Sequence, residues 1–382
     1  MVFMKRLLII IMLCVLISGD TTSQINGSFV FDGFNRTWIA YLPVDFNQNE
    51  SLPLMLALHG YTQNGQEIMQ FSDFNTIADT GRFVVVYPNG IDNSWNVGFA
   101  GGSTADDVGF LSALIDTMQD RYNIDLDRVY ATGLSNGGFM SYRLACELGN
   151  RIAAIAPVAG TMTDGSLTSC SPQKMMPVLH IHGTADLIVN YNGGFGNASV
   201  DEVLEYWNSY NNCPALPVIE DLPDLVAEGS TVQRQTWGPC DGFTEVMLLK
   251  VINGGHTWPG SNGVTGVGNT NRDIVASSEI WNFVSRFSLE SPTGIGFSDS
   301  TGLRVYPNPA TSDVLIVESA HPITSSDLKI YSMDGKISVN QDVAVGSGKV
   351  IADISGLTPG IYFIRVHCAG NNLTARFVVL PR

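Results

Sequence analysis

Basic residues and histidine are scarce in this chain. Its 382 residues include 20 Lys and Arg against 36 Asp and Glu, and only six His. A formal net charge of -16 repels nucleic acid and anionic membrane surfaces, so neither is an expected partner, and the acidity is accounted for by solubility. Neither C-x-x-C nor H-E-x-x-H occurs, which leaves a zinc site without a basis in the sequence. The apolar run from Leu7 to Ile17 is too short to span a bilayer. It follows Lys5-Arg6 and precedes small polar residues, the layout of a secretory signal peptide over residues 1–23, with cleavage expected after Ser23. No stable membrane insertion follows from that layout. Leu13 before Cys14 does not fit a lipoprotein signal.

Cysteine is also sparse, with six in all. Without Cys14 of the leader, the remaining five are Cys146, Cys170, Cys213, Cys240 and Cys368. Export permits disulfides, and among the three connectivities of the first four the neighbouring pairs Cys146–Cys170 and Cys213–Cys240 are favoured. Each would close a loop of about 25 residues and stabilise by about 3 kcal/mol. Cys368 is left over.

What is present is globular: 45% of residues are hydrophobic. From Gly27 to about Phe287, apolar strand-like runs alternate with helical segments, as in a doubly wound, mostly parallel α/β sheet. Strands are expected at Ser28 to Phe31, Thr37 to Leu42, Leu54 to Leu58, Phe83 to Tyr87, Val129 to Thr132, Ala153 to Val158, Val178 to Ile181 and Val246 to Val251. Asp107 is read as the cap of a helix whose apolar stripe includes Val108, Leu111, Leu114, Ile115 and Met118, a reading preferred over a metal pair with Asp106. Ser199 with Glu202 forms a capping box, and Ile274 to Phe287 reads as a last helix. Turn formers at 291–302 mark a linker after a domain at 24–290. Beyond it, residues 303–382 carry short alternating runs separated by turns, the rhythm of a small all-β, Ig-like sandwich domain.

The chemistry centres on Gly133-Leu134-Ser135-Asn136-Gly137, which lies between an apolar strand and a helical segment. Strand, tight serine-bearing turn and helix make the setting of a nucleophile elbow. Small neighbours admit close backbone passage, and the helix start aims free N–H groups at the same point, where an anionic intermediate would be stabilised. In this arrangement the order is Ser, then acid, then His. His59 precedes the serine, and His321 and His367 lie in the C-terminal region, while His180 and His182 share one strand face and would require the acid to come before them. His256, in the glycine-rich loop after the last expected strand, is the better base. Asp186 follows a strand and a glycine turn and is the best acid. The amides of Asn136 and of Tyr61, after the strand that ends in His59-Gly60, are the expected oxyanion hole. His59 is then structural. Trp95 and Trp258, in loops after strands, are candidate faces for stacking on a sugar or phenolic group.

Six segments carry a family likeness: Leu58-His59-Gly60-Tyr61, Val86-Tyr87-Pro88-Asn89-Gly90, Asp106-Asp107-Val108-Gly109-Phe110, Gly133 to Gly138, His182-Gly183-Thr184-Ala185-Asp186 and Gly255 to Gly260. Over Gly27 to Phe287 the chain resembles the extracellular polyhydroxybutyrate depolymerase and feruloyl esterase group of the α/β-hydrolases. The resemblance implies Ser135 as nucleophile, Asp186 and His256 as its partners, Tyr61 and Asn136 as oxyanion donors, and the two disulfides named above. From about Leu303, Val305-Tyr306-Pro307-Asn308-Pro309, Ile330 to Lys336 and Leu357 to Phe363 resemble a type A sorting domain of the type IX secretion system, which implies that machinery as a partner. Its last strand lacks the lysines common there.

The reading is a secreted serine ester hydrolase that needs no metal or organic cofactor. Feruloyl or acetyl esters of plant polysaccharide are the favoured substrates, with polyesters as the alternative. A non-catalytic exported binding protein on the same scaffold is the rival from another class.

Overall fold

A computed structural model describes residues 23–289 apart from 100–101 and 262–265, and residues 303–379 apart from 307–309, 311–312, 320–321, 325–326, 333–335, 345 and 369–370. Residues 1–22 of the expected signal peptide, the linker and His321 lie outside the described residues. The chain divides into two compact units, the first ending at Leu289.

The first unit runs β1 (Gln24–Phe31), β2 (Phe34–Tyr41), β3 (Leu52–Leu58), α1 (Gly65–Ser72), α2 (Phe74–Gly81), β4 (Val84–Pro88), α3 (Asp107–Tyr122), β5 (Ile124–Leu134), α4 (Asn136–Glu147), β6 (Ala154–Val158) and α5 (Asp164–Ser169). It continues with β7 (Val178–Gly183), α6 (Val200–Tyr210), β8 (Val218–Asp221), β9 (Thr231–Trp237), β10 (Val246–Ile252) and α7 (Ala276–Val284). All ten strands form one sheet in the order β1-β2-β4-β3-β5-β6-β7-β10-β9-β8. The central pairs from β4 to β10 are parallel, and the outer strands at both edges pair antiparallel.

Side-chain alternation explains the layers. Leu54, Leu56 and Leu58 of β3 point into a core shared with α3, α4 and α6, whereas Met55 and Ala57 point into a second core with α1, α2 and α7. Every residue of β3, β4, β6 and β7 is buried, as central strands covered by helices on both faces must be.

Four features depart from the sequence expectation. Strands β8 and β9, which have exposed or half-exposed patterns, extend the sheet beyond β10, and short helices occupy α1, α2 and α5. The last helix is shorter than expected, Ala276–Val284. The helix cap is Asp106, whose Oδ1 accepts from Gly109 N–H at 2.8 Å, and not Asp107. Asp107 is instead wholly buried and pairs with Arg36 Nη2 at 2.5 Å, because one residue further on its side chain turns inward from the helix start.

Both favoured disulfides are present, Cys146–Cys170 from α4 to the end of α5 and Cys213–Cys240 from the end of α6 to the turn after β9. Among the described residues no helix is long and apolar enough to cross a membrane.

Among its described residues the second unit has strands and no helix: β11 (Leu303–Tyr306), β12 (Val314–Ser319), β13 (Asp327–Ser332), β14 (Ile337–Asp342), β15 (Lys349–Asp353), β16 (Gly360–Cys368) and β17 (Asn371–Val379). Antiparallel sheets β11-β12-β15 and β14-β13-β16-β17 share one core built from Leu315, Val317, Ile330, Ile364 and Phe377, so the unit is a sandwich. Cys368 is an unpaired, buried thiol there.

Candidate active site

Ser135 sits between β5 and α4 with φ 55° and ψ -117°, a backbone conformation that few non-glycine residues adopt. The turn holds because its surroundings leave no alternative. A Cβ on Gly137 would collide with the carbonyl of Leu58, so β3 and the helix start touch at backbone distance. The turn is anchored by Ser135 N–H donating to Val158 O at 2.9 Å.

Further bonds stitch the carboxyl ends of the central strands together. Ala159 N–H donates to Ile181 O at 2.9 Å, and Thr184 and Ala185 N–H donate to Val251 and Gly254 O at 2.8 and 2.9 Å. The ends of β5, β6, β7 and β10 therefore form one continuous rim, which carries Ser135, Asp186 and His256. In an open α/β sheet this rim is where ligands gather.

Asp186 and His256 meet directly. His256 Nδ1 lies 2.8 Å from Asp186 Oδ2, and both side chains are buried. The other carboxylate oxygen accepts the N–H groups of Ile188 and Val189, each at 2.8 Å. Burial alone would raise the Asp186 pKa, but the hydrogen bonds from His182 and His256 outweigh it and hold the carboxyl well below its usual range. It is ionised at any physiological pH. With Nδ1 held by the carboxylate, Nε2 of His256 is the nitrogen left for a proton-transfer partner. Among the described residues, Ser135 Oγ makes no hydrogen bond.

The Tyr61 and Asn136 amides are differently placed. Asn136 is the first residue of α4, where an N–H has no intrahelical partner. Tyr61 lies in the turn after β3, where Thr62 N–H is bonded to Asn93 O and Gln63 N–H to Gly60 O. His59 fixes that turn. Its Nδ1 bonds Gly60 O at 2.8 Å and its Nε2 accepts from Gly90 N–H at 2.9 Å, while burial lowers its pKa to about 4, so it is a neutral brace.

Trp95 and Trp258 are not stacking surfaces. Both side chains are fully buried. Trp95 donates Nε1–H to His59 O at 2.9 Å, and its backbone is gripped by the Asn136 side chain through Oδ1 and Nδ2 at 2.6 and 3.2 Å. Trp258 donates to Ser277 Oγ at 3.0 Å and packs on Phe71 and Phe74. A place in a loop after a strand gave the right edge of the sheet but not the direction of the ring. The exposed apolar side chains in the loops after β3 and β7 are Tyr61, Leu187, Ile188 and Phe195.

A cavity of about 860 Å³ is lined by Asn96, Phe99, Arg143, Thr163 and Phe195, with the Cys146–Cys170 disulfide in its wall. None of Ser135, Asp186 or His256 lines it. Among the described residues no group of three or more His, Cys, Asp or Glu is arranged to hold a metal ion.

Two contributors were not legible beforehand. His182, set aside as a base, has Nε2 3.3 Å from Asp186 Oδ2, and the sequence signals for it were the strand face shared with His180 and its place at the head of the segment His182 to Asp186. Asp107 Oδ2 accepts from Asn96 N–H at 2.7 Å and so holds the loop after Trp95.

Fold and site together define an α/β-hydrolase. Residues 37–235 match the family described as esterase PHB depolymerase, just over half of the chain. The chain belongs to that family. Residues 304–380 match the secretion system C-terminal sorting domain, so the chain carries an export address.

A bifunctional acetylxylan esterase/xylanase of Neocallimastix patriciarum is 31% identical over 73% of this chain and 37% of its own length. Feruloyl esterase B of Piromyces equi is 27% identical over 66% of this chain and 46% of its own length. The chain thus spans less than half of either relative. Feruloyl esterase D of Neurospora crassa is 26% identical over 71% of this chain and 87% of its own. Among solved structures, a ferulic acid esterase from Anaeromyces mucronatus in complex with ferulic acid is similar at a TM-score of 0.46 and 14% identity, covering 69% of this chain and 90% of that one.

Proposed function

We propose that this protein is an exported serine carboxylic-ester hydrolase that works through an acyl-enzyme and acts on feruloyl or acetyl esters of plant polysaccharide. The observation that carries the reading is the 2.8 Å bond between His256 Nδ1 and Asp186 Oδ2, on the same sheet rim as a serine held in a strained elbow. Family membership supports the reaction class, and the relatives named as feruloyl and acetylxylan esterases support the substrate class.

In this reading His256 Nε2 takes the Ser135 proton as Oγ attacks the ester carbonyl. The Tyr61 and Asn136 amides hold the oxyanion, and His256 returns the proton to the leaving alcohol. Water then repeats the sequence on the acyl-enzyme and releases the acid. Asp186 keeps Nδ1 protonated and stabilises the imidazolium. Type IX export machinery is the partner of the C-terminal unit.

The polyester alternative has one observation in its favour: Tyr61, Leu187, Ile188 and Phe195 are exposed apolar side chains in rim loops, suited to an apolar polymer. A panel of methyl ferulate, acetylated xylan and emulsified polyhydroxybutyrate separates the two. Turnover of polyhydroxybutyrate alone would reverse the preference. Fluorophosphonate labelling tests the mechanism. Wild type should label and the Ser135→Ala protein should not, and absence of labelling and of ester turnover in wild type would favour a non-catalytic binding protein.

A further inference from the structure

Three buried side chains form a hydrogen-bonded line that no step above uses. Tyr142 stands on α4, two turns beyond Ser135, with its Oη 2.7 Å from His180 Nδ1. His180 Nε2 lies 3.1 Å from His182 Nδ1, and the two rings are parallel. His182 Nε2 lies 2.8 Å from Val189 O and 3.3 Å from Asp186 Oδ2. The line therefore starts on the helix that bears the serine and ends on the loop that bears the acid.

With both rings neutral, one assignment of hydrogens satisfies every contact. The Val189 carbonyl can only accept, so His182 Nε2 carries a hydrogen and Nδ1 accepts. His180 must then donate from Nε2, and its Nδ1 accepts the Tyr142 hydroxyl. Burial pushes the His180 pKa well below its ordinary value, in keeping with a neutral ring there. The line ends on the residue that grips the acid, since Val189 N–H donates to Asp186 Oδ1. Removing His182 would leave the Val189 carbonyl and His180 Nε2 without partners in a buried place, and the 186–189 turn would be free to relax.

We infer that His182, braced by His180 and Tyr142, is a positioning residue: it holds the 186–189 loop against α4 so that Asp186 Oδ2 meets His256 Nδ1. The inference rests on the ester-hydrolase reading.

The test compares full-length wild type with His182→Ala, His182→Gln, His182→Asn and Tyr142→Phe, assayed on p-nitrophenyl acetate. A side-chain amide on Gln reaches the place of an imidazole Nε2, whereas Asn is too short. His182→Ala and His182→Asn should lower kcat roughly 10- to 100-fold with KM within about twofold, as expected for lost orientation at the reacting centre. His182→Gln should recover to within about fivefold of wild type, and Tyr142→Phe should lose only about two- to fivefold, because the hydroxyl acts at the far end of the line. The deshielded His256 Nδ1 proton, observed by NMR, should move upfield in His182→Asn and stay near its wild-type position in His182→Gln. Should the Ala protein fail to fold, Gln against Asn decides the matter. Equal kcat in all proteins, an effect confined to KM, or equal losses in Gln and Asn would overturn the inference. An inactive wild type would instead overturn the ester-hydrolase reading, and the NMR comparison would still test the brace.

Discussion

Ser135 at φ 55° and Asp186 with all its acceptor capacity directed at named donors show how much of this site is settled within single residues. Replacing Ser135 with Ala is expected to lower kcat/KM for p-nitrophenyl acetate by at least about 10³-fold while the circular dichroism spectrum stays as in wild type. His59 supplies a pH prediction. Its pKa is about 4 in the folded chain because burial disfavours the charged ring, against about 6.5 when unfolded. Below pH 6.5 the unfolded chain takes up a proton that the folded chain refuses. Stability is therefore expected to fall as pH drops from about 6.5 towards about 4, by about 3 kcal/mol from this residue, and to level off below. Buried His180 acts in the same direction. Thermal melts between pH 4.5 and 7.5 check this, with a shallower pH dependence expected in His59→Gln. At this scale the catalytic candidates were legible because an elbow motif and a chain order constrain them. Trp95 and Trp258 were not, since side-chain direction in a loop is set by partners such as His59 O and Ser277 Oγ that lie far away in sequence.

Elements were legible in proportion to how strongly burial patterned them. The fully buried strands β3, β4, β6 and β7 read as apolar runs, but β8 and β9 lie at the sheet edge with half-polar faces and gave no comparable signal. Asp106 and Asp107 illustrate the limit of cap reading. Both are plausible caps in one dimension, and it is Arg36, 71 residues away in sequence, together with the Asn96 N–H, that holds Asp107 inward. The Cys213–Cys240 bridge ties the end of α6 to the turn between β9 and β10. Replacing both cysteines with serine removes a constraint worth about 3 kcal/mol, so the melting temperature should drop by roughly 6–12 °C. Ester turnover at 25 °C should be retained, because neither cysteine touches the rim loops that carry the site.

On the scale of the whole molecule, the catalytic candidates, their supporting loops and both disulfides all lie within the first unit, which ends at Leu289. A fragment of residues 23–289 is therefore expected to fold and to hydrolyse p-nitrophenyl acetate with kcat/KM within about twofold of the longer chain, since it keeps both hydrophobic cores of that unit intact. The C-terminal sandwich has its own core, so its removal should abolish export while leaving turnover by the purified fragment unchanged. Secretion assays alongside kinetics on the two lengths check both halves of that expectation.

By itself, the sequence determined the α/β alternation, the strand-turn-helix setting of Ser135, the choice and order of the candidate serine, acid and base, and the β-rich character of the C-terminal unit, because each is written in local periodicity, turn chemistry or spacing. Tertiary structure alone decided that Trp95 and Trp258 face the core, that Asp107 pairs with Arg36, and that Tyr142, His180 and His182 line up behind Asp186. Those outcomes depend on which strands become neighbours and which faces they share, and contacts between residues tens of positions apart leave no periodic trace along the chain.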